Sequence, residues 1–121
     1  MRKLVYIASP LSGNVEQNLD FARQACRYAI EQGVNPFAPH LLYTQMLDDS
    51  SAEERQLGLD LGNEMLKRCE ELWLCGDRIS AGMAGEREMA NELGIPVKAV
   101  SSEEILSMDF SPTEGMGMTM G

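Results

Sequence analysis

The stretch that decides the fold is ELWLCGDRISAGMAGEREMANELGIPVKAV, residues 71–100. Its first six residues, Glu71 to Gly76, form a short apolar run that predicts a buried strand, and Ile95 to Val100 predicts another. Between them, residues 82–93 carry apolar side chains at helical spacing, and Gly94 follows where a helix would end. A strand, a helix and a strand in this order predict a right-handed crossover between two parallel strands.

The same alternation continues toward the N-terminus. The predicted elements there are a strand at 3–8, a helix opening at Asn14 and ending at Gly33, a strand at 34–38, one or two helical turns at 40–47 and a helix from Ser51 to about residue 68. A last short helix begins at Ser101. We therefore expect an α/β fold: a three-layer α/β/α sandwich with a mostly parallel sheet of four to five strands, flavodoxin- or Rossmann-like. Residues 1–108 form the domain, and the Gly- and Met-rich tail at 109–121 is either flexible or lies at a subunit interface.

Composition narrows the function classes. The 121 residues have a net charge of −9 and no cluster of Lys and Arg, which argues against a nucleic acid polymer as partner. No apolar run approaches the length of about 20 residues that spans a bilayer, and no signal peptide is recognisable, so we expect a cytoplasmic protein with no membrane partner. A small anionic ligand stays compatible with this charge, because helix N-termini bind phosphate.

The cysteines and glycines indicate no metal and no cofactor. Three scattered cysteines and one histidine give no zinc-ligand spacing, and an odd number does not form a disulfide framework, so we expect buried thiols. The glycines after the first strand do not form the dinucleotide-binding fingerprint.

Glu86 is the candidate catalytic residue that the pattern itself selects. On a helical wheel of residues 82–93, Met83, Met89, Ala90 and Leu93 form one apolar arc, and Glu86 lies near its middle. An unpaired buried carboxylate is costly, so such a group finds partners or has its pKa raised, as a nucleophile or general base requires. The structural alternative is a carboxylate favoured by the helix dipole, on an arc that ends at a crevice.

Two loops leave the carboxyl ends of predicted strands, where α/β sheets bind ligands. In residues 77–82, Ser80 and Gly82 could cradle an anion, or Ser80 could be an ordinary helix N-cap. In the first loop, Tyr6 precedes Ser9, Pro10, Ser12 and Gly13, although Tyr6 could equally be a core residue. His40 could contact a ligand or make a structural hydrogen bond.

Two segments, YIASPLSG near the start and DRISAGMAGEREMANELGIPV near the end, resemble the nucleoside 2-deoxyribosyltransferase-like superfamily, and within it a bacterial and phage branch of uncharacterised proteins. The resemblance implies that Glu86, four residues before Ala90, is the nucleophile that attacks the anomeric carbon of a nucleoside, with Tyr6 beside it. Ser80 corresponds to the phosphate-contacting serine of the related deoxynucleoside monophosphate N-glycosidases, and Ser9 and Gly13 fall in their phosphate loop. Relatives in the superfamily are commonly homo-oligomers.

One position departs from the superfamily pattern. Active relatives carry an Asp on the helix before the third strand, which protonates the leaving base, whereas this chain has Gly62 there, with Asp60 and Asn63 nearby. Either the acid comes from elsewhere, with Asp77 as a candidate, or base exchange is lost.

The sequence thus predicts a nucleoside or nucleotide N-glycosidase or (deoxy)ribosyltransferase. Its alternatives are a non-catalytic small-nucleotide-binding protein and a purely structural component. The catalytic candidates are Glu86 and Tyr6, and the substrate-binding candidates are Ser9, Pro10, Gly13, Asn18, His40, Asp77, Ser80, Gly82 and Met83.

Overall fold

A four-stranded parallel sheet lies at the centre of the fold. The computed structural model describes residues 1–107, so the predicted tail at 109–121 lies outside the described residues. The strands are β1 (Leu4–Ala8), β2 (Asn35–Phe37), β3 (Glu71–Cys75) and β4 (Val97–Val100), in the order β2-β1-β3-β4. Every pairing is parallel, with Ile7 opposite Trp73 and Leu74 opposite Ala99. The predicted α/β class is confirmed, with four strands.

The helices alternate with these strands as predicted. They are α1 (Val15–Glu31), α2 (Pro39–Leu42), α3 (Ala52–Leu66), α4 (Ala81–Leu93) and α5 (Ser102–Leu106), with a 3₁₀ turn at Tyr43–Gln45. Side chains of Asn14, Ser51, Ser80 and Ser101 accept hydrogen bonds from backbone N–H groups in the first turns of α1, α3, α4 and α5. Among residues 1–107, none of the helices combines the length and apolarity that crossing a membrane requires.

The two faces of the sheet build separate halves of the core. Val5 and Ile7 of β1 point to one face and pack with Ala25 of α1 and Ile105 of α5. The alternate residues Tyr6 and Ala8 point to the other face, in a cluster with Leu66 of α3 and with Met83 and Ala90 of α4. Helices therefore cover both faces, which confirms the three-layer sandwich.

The chain leaves β1 and β3 toward opposite faces of the sheet. After β1 it enters α1 on one face and returns to β2, while after β3 it enters α4 on the other face and returns to β4. This reversal between neighbouring strands opens a crevice at their carboxyl ends, where ligands of open α/β sheets bind. Gly76 follows β3 at a φ of 114°, and an added Cβ there would lie 3.5 Å from the ring of Phe21. The positive φ, more than a lack of space, therefore explains the glycine at this position.

Candidate active site

A tyrosine and a carboxylate from opposite ends of the sequence meet at the α3/α4 face. Glu86 lies in the second turn of α4, and Tyr6 lies in the middle of β1 with only 1% of its surface exposed. The Tyr6 hydroxyl donates a hydrogen bond of 2.5 Å to Oε2 of Glu86. The alternation of β1 points Tyr6 to this face, and the helical arc of α4 turns Glu86 toward it. The carboxylate that sequence pattern selected is therefore half-buried and has a fixed partner.

Burial of this pair keeps the Tyr6 hydroxyl protonated and brings the pKa of the Glu86 carboxyl close to neutrality. Burial raises the pKa of Glu86 to about 7, against the lowering effect of the Tyr6 hydrogen bond. The pKa of Tyr6 is raised by burial first and by the Glu86 charge second, so its hydroxyl remains a donor. A carboxyl group with a pKa near neutrality exchanges readily between its two protonation states, as nucleophiles and general bases do.

Tyr6 and Glu86 lie in one cleft, here called the Glu86 cleft. One wall comes from α2 and the segment after it, and the opposite wall comes from α3. The lining residues are Tyr6, Leu11, Pro39, His40, Tyr43, Thr44, Leu47, Asp49, Glu54, Arg55, Gly58, Leu59, Gly62, Asn63 and Glu86. Apolar and aromatic side chains thus line the cleft together with polar and charged ones, and small-molecule sites combine both kinds.

The α3 wall contains functional candidates that sequence reasoning largely missed. Arg55, Gly58, Leu59, Gly62 and Asn63 recur at the spacing of one helical face, and all five line the cleft. The two glycines lower that face and so deepen the cleft. The sequence could have revealed this wall through the same i, i+3, i+4, i+7 spacing, if the glycines had been counted among the residues of that helical face.

Gly62 makes room for the Tyr6 hydroxyl. A Cβ at position 62 would lie 3.0 Å from Tyr6 Oη, closer than side chains normally approach. An acidic side chain at this position would therefore require the Tyr6 hydroxyl to move by a few tenths of an ångström. The neighbouring Asp60 is exposed and accepts a hydrogen bond of 3.0 Å from Gln56, whereas Asn63 lines the cleft. The described part of α3 thus presents an amide, and no carboxylate beyond Glu54 in its first turn, to the cleft.

Substitution of Gly62 by Ala tests this packing. Alanine in a helix interior stabilises by about 1 kcal/mol relative to glycine, but at position 62 the new methyl group would displace the Tyr6 hydroxyl. Gly58→Ala is the matched control, because its Cβ would meet only the flexible end of Leu47 at 3.4 Å. In urea denaturation we expect Gly58→Ala to raise the free energy of unfolding and Gly62→Ala to gain less or to lower it. Equal stabilisation by both would show that Tyr6 does not need this space.

His40 lies in the same cleft with a fixed orientation. Its Nε2 is 2.9 Å from the carbonyl oxygen of Ser9, and because a carbonyl only accepts, Nε2 must carry the proton. Burial lowers the pKa of His40, outweighing the Ser9 carbonyl and the Asp49 charge, which raise it. The ring is therefore neutral at pH 7, and its Nδ1 is a hydrogen-bond acceptor. His40 thus makes the structural hydrogen bond and also lines the cleft.

Three other predicted residues lie in a second cleft on the α1 side of the crevice. Pro10, Asn18 and Asp77 line it, together with Gln17, Phe21, Gly76, Arg78 and Ser102. Asn18 donates to the carbonyls of Leu11 and Ser12 at 2.8 and 3.0 Å, which holds the first loop in place. Asp77 accepts a hydrogen bond from the backbone N–H of Ser102 at 3.0 Å. The structure therefore does not bring Asp77, the alternative acid, into the lining of the Glu86 cleft.

The remaining candidates lie outside the linings of both clefts. Ser80 is the N-cap of α4 and accepts from the Met83 N–H at 3.2 Å, and Met83 itself is 1% exposed within the core. Ser9 is 2% exposed, and its carbonyl contacts His40. Gly13 and Gly82 are exposed. Of the eleven candidates, the structure assembles Tyr6, His40 and Glu86 in one cleft.

Comparison with known proteins supports the fold. The structure of a 2-deoxyribosyltransferase from the psychrotolerant bacterium Bacillus psychrosaccharolyticus superimposes with a TM-score of 0.67 and 24% sequence identity, over 81% of this chain and 72% of that one. No curated protein matches the sequence significantly. Residues 3–100, which contain all four strands and both Tyr6 and Glu86, match the family described as Domain of unknown function (DUF7768). The chain therefore belongs to the DUF7768 family.

Proposed function

We propose that this chain cleaves the N-glycosidic bond of a nucleoside or nucleotide, as a glycosidase or a (deoxy)ribosyltransferase, with Glu86 as the nucleophile. The observation that carries the proposal is the half-buried Glu86, held by Tyr6 at 2.5 Å inside the Glu86 cleft. The cleft lies beside the carboxyl ends of β1 and β2, since Leu11 follows the first of these strands and Pro39 follows the second. A carboxylate fixed there can face the anomeric carbon of a bound sugar.

The reaction proceeds in two displacements. A carboxylate oxygen of Glu86 attacks C1′ of the sugar, the C1′–N bond breaks, and the base departs with the bonding electrons. The resulting glycosyl ester is then opened at C1′ by water or by a second base, which restores the carboxylate. Tyr6 donates to Oε2 throughout, which fixes the carboxylate and lowers the pKa of Glu86 toward the ionised, nucleophilic form.

The fold supports this proposal independently of the site. The bacterial 2-deoxyribosyltransferase has the same fold over most of both chains. The sequence resemblance implies the same catalytic carboxylate, and the helical arc selects Glu86 without it. The resemblance and the helical arc thus select the same residue, and the shared fold is compatible with that choice.

Base release from a substrate panel tests the proposal. The purified protein is incubated with ribo- and deoxynucleosides and with their 5′-monophosphates, and free base is quantified by chromatography. We expect at least one compound to release its base in wild type and not in Glu86→Gln. If none is cleaved, the glycosidase proposal is wrong.

A second candidate function is favoured by Gly62 and Asn63. Without a carboxylic acid at the middle of α3, the cleft could hold a small nucleotide without cleaving it, as a sensor or a sponge does. In that case one compound of the panel raises the melting temperature, is recovered intact, and binds Glu86→Gln with comparable affinity. This result is distinct from both turnover and the absence of binding.

We also propose that the chain forms a homo-oligomer. Leu57 and Leu59 of α3 are 46% and 50% exposed, and Met46 before α3 is 66% exposed. Large apolar side chains that a single chain leaves exposed can be buried by contact with a second copy. Light scattering coupled to size-exclusion chromatography should give a mass of at least two chains, and a single-chain mass would contradict this.

A further inference from the structure

We infer that the Glu86 cleft selects N-glycosides whose base already carries a positive charge, such as N7-alkylated purines or N-ribosylated pyridinium rings. This inference depends on the proposed function and specifies its substrate class. It follows from what the cleft offers the leaving base, which is an amide, aromatic rings and carboxylates, with no acid placed on the α3 wall beside Tyr6.

The residue at position 62 supplies no acid for the leaving base. A neutral purine or pyrimidine departs as an anion unless an acid protonates it, and a positioned acid contributes about 10²–10⁴-fold to such steps. Position 62 is a glycine and supplies no acid, and a Cβ there would lie 3.0 Å from the Tyr6 hydroxyl, which would have to move slightly to admit a side chain. Asn63, the next α3 residue in the cleft, cannot donate a proton to the base as an acid does.

A cationic base needs no such acid. When the C1′–N⁺ bond breaks, the bonding electrons neutralise the ring and the base leaves uncharged. The Glu86 carboxylate forms the ester to C1′ in the same step, so charge and atoms balance. Water then opens the ester to give the free sugar, and one proton is released to solvent. The overall change is cationic glycoside plus water to neutral base, sugar and a proton.

The charges around the cleft favour a cation over an anion. Its lining contains three acidic side chains, Asp49, Glu54 and Glu86, against one basic side chain, Arg55. The protein as a whole has a net charge of −9. Among the described lining residues, the cleft thus has an excess of negative charge, which attracts a positively charged ring and repels phosphate.

The aromatic side chains add to this preference. Tyr43 lines the cleft and packs edge-on against Phe37, with ring centroids 6.2 Å apart, and Phe37 in turn lies 5.7 Å from Tyr6. The ring of Tyr43 is therefore held by its neighbours. An aromatic face at a desolvated site attracts a cation through its quadrupole. A bound cation also favours the ionised form of Glu86, so that binding prepares the nucleophile.

A matched pair of nucleosides tests the inference. Guanosine and 7-methylguanosine have nearly the same shape, and only the second carries a positive charge on its base. Base release is followed by chromatography in wild type and in Glu86→Gln, with nicotinamide riboside as a second cationic substrate. Because a general acid would assist only the neutral base, the lack of one at positions 62 and 63 predicts that kcat/KM for 7-methylguanosine exceeds that for guanosine by about 100-fold or more.

The Asn63→Asp variant separates the effect of a missing acid from the higher intrinsic reactivity of a cationic nucleoside. A carboxyl group on the α3 wall should raise guanosine cleavage by about tenfold or more, while 7-methylguanosine cleavage changes by less than about threefold. A cooperative thermal transition will show that the variant is folded. If it does not fold, the ratio of kcat/KM for 7-methylguanosine to that for guanosine in wild type still tests the inference.

The outcomes separate the two proposals. A wild-type ratio below about ten, or guanosine cleaved in preference, overturns the choice of cationic substrates and leaves the glycosidase proposal intact. A folded Asn63→Asp variant that leaves guanosine cleavage unchanged also overturns it. If neither cationic nor neutral nucleosides release a base, the proposed function itself fails.

Discussion

Replacement of Glu86 by Gln is expected to lower base release by roughly 10³-fold or more, as loss of a catalytic nucleophile does, without unfolding the protein. Glutamine has the shape of the carboxylate, and its amide oxygen can still accept the hydrogen bond that the Tyr6 hydroxyl now donates to Glu86 Oε2. It cannot form the glycosyl ester, because an amide is not a nucleophile of comparable strength. The loss should appear in kcat with every substrate.

Glu88→Gln is the matched control for this measurement. Glu88 lies two residues further along α4 and is exposed, so the substitution removes the same charge from the same helix without entering the cleft. Initial rates of both variants are compared by chromatography of free base at saturating substrate. A Glu86→Gln variant that retains more than about a tenth of the wild-type rate would exclude a nucleophilic role.

Stability should fall with rising pH because of the same residue. Burial raises the folded-state pKa of Glu86 from 4.5 to about 7, so the folded protein holds this proton more tightly than the unfolded chain does. The stabilisation is complete below the unfolded pKa and is lost as the pH rises through the folded pKa. Between pH 4 and 8 the contribution to the free energy of unfolding should therefore fall by about 3 kcal/mol, since one pKa unit corresponds to 1.36 kcal/mol.

The difference between wild type and Glu86→Gln isolates this effect. Glutamine does not titrate, whereas the other acidic groups are common to both proteins and cancel. Urea denaturation across this pH range should show the variant gaining stability relative to wild type as the pH rises, on the order of 3 kcal/mol in all. A difference that does not vary with pH would mean that Glu86 is not buried as described.

The sequence was sufficient for the layers of the fold and for the central carboxylate. Alternating strand and helix patterns dictate a parallel sheet, because short crossovers admit few other arrangements. Glu86 stands out because a carboxylate in the middle of an apolar arc is costly. Leu93, assigned to the same arc, is 45% exposed because α4 ends there and Gly94 turns the chain away. Hydrophobic periodicity thus predicts which side chains are buried in the middle of a helix, but it does not predict burial at the helix end.

The division into two clefts could not be predicted. Carboxyl ends of parallel strands share one edge, so the sequence places Pro10, Asn18 and Asp77 at the same edge as Glu86. It does not say on which side of the sheet each loop lies. In the structure those three line the α1 side, whereas Tyr6, His40 and Glu86 lie together on the α3 side. The face to which each side chain points depends on strand register and loop path.

The α3 wall was missed for a different reason. Leu57 and Leu59 are exposed and Gly58 and Gly62 have no side chains, so α3 shows no clear apolar stripe. The close approach of Gly62 to the Tyr6 hydroxyl joins residues 56 positions apart in the sequence. Such a contact depends on how α3 docks against the sheet, which local patterns do not contain.

The stereochemistry of methanolysis tests most directly whether Glu86 attacks the sugar. A substrate identified in the panel is cleaved in neutral buffer that contains methanol. The anomeric configuration of the methyl glycoside that forms is then determined by proton NMR. Two successive displacements at C1′ invert the configuration twice, so the account predicts a methyl β-glycoside from a β-nucleoside, and none with Glu86→Gln. A methyl α-glycoside would show a single displacement by solvent and would contradict Glu86 as the nucleophile.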